Sequence, residues 1–199
     1  MSTQLDILKQ LEAHEVAPQF DAWLNAVVAH RAAHPDLWNG LRAAERSYLH
    51  GRRHWTRVAC LGLAMLRERE PHRPPLDHLA PPLAVLEHRF LLAAFFHDIG
   101  RLDEGRDTGH AGRGERVFRF MAPVLSVDPG DIESAAVAIR NHASDPAVLP
   151  GADLVAACIA DADRLDRARL YERPLPDCMY PVLPWEKWAE AAWEWGTGG

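Results

Sequence analysis

Lysine is almost missing from this chain: Lys9 and Lys187 are the only two among 22 basic residues in 199. Positive charge is therefore nearly all arginine, the side chain suited to forked contacts with phosphate or carboxylate, although GC-rich coding DNA produces the same bias. Clustered basic charge is lacking too. With a formal charge of -6 and a pI near 6.0, general affinity for nucleic acid is excluded, and any anionic ligand must be met locally. Cysteine is scarce: Cys60, Cys158 and Cys178 form no CxxC pair, which argues against a disulfide framework and reads as reduced core residues. No run approaches the roughly 18 apolar residues of a membrane span, and "MSTQLDILKQLEAHEV" has no basic start or long apolar segment of a secretion signal. The expectation is a cytoplasmic protein with no membrane partner. Internal repeats and alternating strand-like stretches are likewise missing.

What is present is helical periodicity almost throughout. At 48% hydrophobic and 25% charged residues, the composition is that of one folded domain with a sizeable core. An all-α fold is predicted, with helices near 3–14, 18–33, 36–48, 52–69, 83–98, 110–125, 131–143 and 151–169, and a short one at 185–195. Pro18, "HPD", "PHRPPLDHLAPP", "DPGD" and "SDPAVLPG" supply the breaks, because proline cannot donate into a helix interior. Residues 1–48 read as an N-terminal helical extension packed on a core at 49–170, followed by a tail at 171–199 rich in proline and tryptophan. In that tail Trp185, Trp188, Trp193 and Trp195 read as a cover for neighbouring core surface, the alternative being a homodimer contact.

The run "FLLAAFFHDIGR", Phe90 to Arg101, should sink into the core, yet it ends in His97 and Asp98. A desolvated carboxylate costs several kcal/mol unless something positive compensates it. Either Arg101 pairs with Asp98 while His97 caps the helix, or a metal ion is near. Upstream, His54 opens a helix whose Val58, Leu61 and Met65 follow on the same face, so it points inward. Downstream, "LVAACIADADRLDRARL" is an apolar helix that carries Asp161, Asp163 and Asp166. Imidazole and carboxylate groups on three core helices meet best around a shared cation, and such a set suits Mn, Fe, Co, Ni, Zn or Mg with positions left for water and substrate.

The ordered pattern His54…His97-Asp98…Asp163 resembles the H…HD…D signature of the HD superfamily of metal-dependent phosphohydrolases, and "HWTRVACLGLAM", "AAFFHDIGR" and "ADADRLD" are similar to its three motif-bearing helices across 49–170. "HGRRHW" and the "D..H" after "FHDIGR" resemble an uncharacterised bacterial group of stand-alone HD proteins. Periodicity does not choose among the aspartates, since Asp161 shares a face with Leu154, Cys158 and Leu165 while Asp163 lies beside Ile159 and Leu170. The resemblance implies Asp163, in Ala162-Asp163-Arg164-Leu165, as the ligand, leaving Asp161 and Asp166 to hold Arg164 or a ligand histidine.

His50 stands four residues before His54 but behind Gly51, so a shared helical face and a loop position are both open. His110 opens a helix, and His142 falls on the stripe Ile132, Ala135, Ile139; each is a core or helix-start residue unless it completes H…HD…H…H…D, the order by which two-metal members of the superfamily gain a second site. The loop "RLDEGRDTGHAGRG" offers glycine amides and a helix N-terminus to a phosphate, unless Asp103, Glu104 and Asp107 simply neutralise its arginines. The resemblance implies hydrolysis of a small phosphorylated substrate such as a nucleotide by metal-activated water, with one or two divalent ions. In that scheme Asp98 or Asp161 orients the water, and Arg101, Arg164 or His110 neutralises charge growing on the phosphate. Two alternatives are a di-iron oxygenase of the same superfamily and a non-catalytic regulatory protein that retains the site.

Overall fold

The computed structural model describes residues 3–38, 47, 49–72, 81–105, 107–144, 153–167, 169–170, 179–180 and 183–197. The protein is all-helical, with no strand among the described residues. In chain order the α-helices are α1 Thr3–Leu11, α2 Ala17–Ala33, α3 Arg52–Arg69, α4 Leu83–Phe96, α5 His110–Met121, α6 Pro129–Asn141, α7 Leu154–Arg167 and α8 Glu186–Thr197.

Pro18 does not break the chain as expected. A π-helical turn, Glu12–Val16, joins α1 directly to α2, and the Ala17 amide donates to the Glu12 carbonyl. Widening the helix by one residue accommodates a ring that would otherwise crowd the carbonyl four residues back. A 3₁₀ turn, Pro35–Trp38, begins where a helix over 36–48 was expected; residues 39–46 and 48, with Cys178 and Arg106, lie outside the described residues. Asp128 caps α6 by accepting from the Gly130 amide at 2.7 Å, so that helix starts at Pro129 rather than 131.

Helices α3 and α7 form the centre. In α3 every residue from His54 to Leu66 except Arg57 is buried, and in α7 so is every residue from Val155 to Asp166 except Arg164. A helix that is apolar all round belongs in the interior. The two pack against each other and against α4, while α5 and α6 form a neighbouring pair that closes over α4 and α7. Gly62 permits the α3–α4 approach: a Cβ there would lie 2.0 Å from Cζ of the fully buried Phe90. Gly100 and Gly114 permit another, since a Cβ on Gly100 would meet the Gly114 nitrogen at 2.3 Å and the His110 carbonyl at 2.4 Å. That contact brings the start of α5 onto the turn carrying His97 and Asp98.

Edge-on aromatic pairs extend the core outward: Phe95 meets Phe20 at 5.2 Å, Trp55 at 5.3 Å and Phe96 at 4.9 Å between ring centroids. They tie α2 to the helices that hold the polar centre. On the opposite side α8 packs on α7, α1 and α3, burying Trp188 as the tail reading anticipates, with Trp193 partly exposed. Cys60 and Cys158 are buried free thiols. No described helix is long and apolar enough to cross a membrane.

Candidate metal centre

Five elements converge on one buried polar cluster. His54 comes from the first turn of α3, His97 and Asp98 from the turn ending α4, His110 from the first residue of α5, His142 from the residue after α6, and Asp163 from α7. All six are buried. His54 Nε2 lies 3.1 Å from His97 Nε2 and 3.3 Å from Asp163 Oδ1. His110 Nε2 lies 3.0 Å from His142 Nε2. Asp98 stands between the two sets: its Oδ2 is 3.4 Å from His54 Nε2 and 3.5 Å from His97 Nε2, and its Oδ1 is 3.4 Å from His110 Nε2 and 3.9 Å from His142 Nε2. One donor atom each from His54, His97 and Asp163, and one each from Asp98, His110 and His142, fall within 4.8 Å of one another. Asp98, His54 and His50 meet the same condition.

The outer nitrogens of these rings fix which way the inner ones point. His97 Nδ1 donates to the Ala94 carbonyl at 2.8 Å, His142 Nδ1 to the Ile139 carbonyl at 2.7 Å, and His110 Nδ1 to the Asp107 carbonyl. A carbonyl only accepts, so each Nδ1 carries the hydrogen. Burial drives all three histidines toward the neutral form, His97 to about 4 and His142 to about 3, with His110 also lowered. A neutral ring protonated at Nδ1 has a bare lone pair at Nε2. His110 and His142 therefore aim two lone pairs at each other from 3.0 Å, an arrangement that repels unless a cation accepts both. The Asp163 Oδ1 atom is buried and accepts no hydrogen bond of good geometry. These observations fit a divalent cation bound by nitrogen and oxygen, and the tautomer-fixing carbonyls are the outer partners that metal-ligating histidines generally have.

His54 differs from the other three. Burial opposes its charge, but Asp163, Asp166 and Asp98 outweigh it and raise the ring to about 10. Asp166 accepts from His54 Nδ1 at 2.6 Å and is itself gripped by Arg57 Nε at 2.5 Å and by Arg169. Burial would raise Asp98 and Asp163, yet both are held well below the carboxylate range, Asp98 by His97, His50 and His54, and Asp163 by Arg167 and His54. The carboxylates thus demand positive charge at their centre, from a proton on His54 or from a metal.

A cavity of about 470 Å³ opens onto this cluster. Its buried end is formed by His54, His110 and Arg101, whose Nε donates to Asp98 Oδ1 at 2.8 Å. The Asp98–Arg101 pair and the histidine cluster, weighed as alternatives from sequence, therefore coexist on one carboxylate. His50 also lines the cavity. Its Nδ1 lies 2.8 Å from Asp98 Oδ2, the reverse of the other rings, so its Nε2 is the nitrogen left for the cavity.

Three expectations need correction. Asp161 does not reach the cluster: both its oxygens accept from the Tyr180 amide at 3.0 Å, and burial pushes it up to about 7. Arg164 turns the same way, contacting Asp161, the Ser144 carbonyl and the Tyr180 ring. Neither belongs to the histidine cluster or lines the cavity, because Tyr180 meets both on the other side of α7. In the loop after Arg101 the Gly105 and Gly109 amides are not offered to an anion either: the Gly105 amide donates to Asp103 at 2.8 Å and the Gly109 amide to Asp107 at 3.2 Å, with Arg113 bound to Asp107. Sequence reasoning passed over Arg57, Arg167 and Arg169, although their signal was available in positions three or four residues after His54, Asp163 and Asp166. Comparison with family models, with curated proteins and with solved structures finds no match.

Proposed function

We propose that the chain is a metal-dependent phosphohydrolase of the HD type acting on a small phosphate ester. The observation that supports it most is Asp98, whose two oxygens face separate histidine groups, as a carboxylate bridging two cations would. His54, His97, Asp98 and Asp163 would hold one ion, and Asp98, His110 and His142 a second. A divalent ion so bound supplies Lewis acidity toward a phosphoryl oxygen and an acidified water. The chain's own residues do the rest. Arg101 donates to Asp98 and presents positive charge at the buried end of the cavity, where a phosphoryl group gains charge. Arg167, nearer the mouth, donates to Asp163, its Nη2 lying 2.5 Å from Oδ2. His50, whose Nδ1 donates to Asp98, would take up a second proton at Nε2 from solvent and pass it to the leaving oxygen. Its place on the cavity wall supports that role.

The test is elemental analysis of the isolated protein, then a phosphatase panel with Mn, Co, Ni and Mg. We expect one or two bound ions per chain and turnover at least about 1,000-fold above the His97→Ala, Asp98→Ala double variant, a difference of about 4 kcal/mol. Turnover no greater than that control on every phosphate ester overturns the reading. A magnetically coupled iron pair that consumes oxygen moves it to the oxygenase, since four imidazoles and two carboxylates also suit iron.

A further inference from the structure

The cavity is chemically divided along its length. Its buried end is charged, as described above. Nearer the mouth Leu49, Leu170 and Ala143 form an apolar patch beside Arg167 and Thr108, and Leu170 leaves 41% of its surface to solvent. The two leucines come together for an identifiable reason. Arg169 Nη2 donates to the Leu49 carbonyl at 2.8 Å, which clamps the turn after α7 onto the segment leading into α3. The Leu170 amide donates to the Arg167 carbonyl at 2.8 Å, so the chain folds back and keeps Leu170 beside Arg167 at the mouth. Among the described lining residues Thr108 carries the one hydroxyl, and none carries a phenyl or indole ring or a carboxamide. The volume is within the roughly 300–1,000 Å³ of small-molecule sites.

We infer that the preferred ligand is an apolar-tailed phosphoryl anion, a short-alkyl or aryl phosphate, with its head at the buried end and its tail on Leu49 and Leu170. This rests on the phosphohydrolase reading for the fate of the ester bond, but not for binding. A leucine exposed at the mouth gains by being covered, and a methylene laid on it gains in proportion to the area removed from water. A nucleoside or sugar laid on the same two leucines would lose water from its hydroxyls and ring nitrogens, and the leucine side chains offer no hydrogen bond in return.

The test uses the full chain loaded with Mn²⁺ and a non-hydrolysable series of methyl-, ethyl-, propyl- and phenylphosphonate, followed by calorimetry. Affinity is expected to rise about fourfold per methylene, with phenylphosphonate tightest and adenosine monophosphate no tighter than methylphosphonate. Leu170→Asp, and Leu170→Ser as a milder change, should remove the dependence on the tail and leave methylphosphonate within twofold of wild type. No binding of methylphosphonate, a flat series, or a slope that survives both variants overturns the inference. Hydrolysis of the matching phosphates is measured alongside. A tail-dependent binding series without hydrolysis sinks the enzymatic reading and leaves this one standing, whereas hydrolysis indifferent to the tail does the reverse.

Discussion

Asp161 and Asp163 are two residues apart on α7, both fully buried, and they face opposite ways. Asp163 looks into a space lined by histidines and is held well below the carboxylate range. Asp161 looks toward the tail, accepts from one backbone amide, and is pushed up to about 7. A helix turns about 200° over two residues, so neighbours at this spacing on a buried helix inherit unrelated surroundings. Burial therefore does not tell the two carboxylates apart; what their oxygens meet does.

The sharpest way to break that contrast is Asp163→Asn. The amide keeps the shape but cannot serve as an anionic ligand, and it leaves Arg167 and His54 without their shared carboxylate. Loss of one bound ion per chain and a fall in kcat of about 1,000-fold are expected, with several degrees lost in melting temperature, since breaking a buried pair costs roughly 3–5 kcal/mol. Metal stoichiometry and thermal unfolding together check it. Retention of full metal content would show that Asp163 is no ligand, and the distinction between the two aspartates would then lose its meaning.

An intermediate effect belongs to Asp166, which touches no ion position but accepts from His54 Nδ1. Asp166→Asn weakens the push that orients the ring, so metal affinity should fall about 10- to 100-fold while bound stoichiometry at saturating metal is unchanged. Titration of the metal-free variant with Mn²⁺ reads this directly. An unchanged affinity would assign Asp166 to structure alone, as an anchor for Arg57 and Arg169.

Much of this was legible in the sequence. The helices followed from apolar spacing, and His54 was placed inward by Val58, Leu61 and Met65, which are buried on the same stretch of α3. The convergence of His54, His97, Asp98 and Asp163 was expected from a family resemblance, and the fold brings those four together, with His110 and His142 completing a second group. Periodicity could not separate Asp161 from Asp163 for a physical reason: α7 is surrounded on all sides, so every register points at protein. Nor could it foresee that Asp103 and Asp107 would satisfy the loop amides, because whether an aspartate takes its own backbone or leaves it for a ligand is decided by local dihedral angles. Pro18 was misread because a single π turn lets a helix pass a proline that pattern alone treats as a stop.

The smallest effect is expected at Asp161, and it runs in the opposite direction from that at Asp163. Its folded-state pKa is about 7 and its ordinary value 3.8, so between those values the folded protein holds a proton that the unfolded chain has released. Stability from this group is therefore present below pH 4 and is lost as pH rises toward 7. Asp161→Asn removes the ionisation while keeping an oxygen for the Tyr180 amide. Turnover should stay within twofold. Below pH 4 the variant and wild type should unfold together; at pH 8 the variant should be more stable by about 1 kcal/mol, after allowing for the weaker bond to a neutral acceptor. In a chain of this length that is a rise of about 2–4 °C in melting temperature. A large loss of turnover in Asp161→Asn would put this carboxylate back into the chemistry and leave Asp163 with no special claim on it.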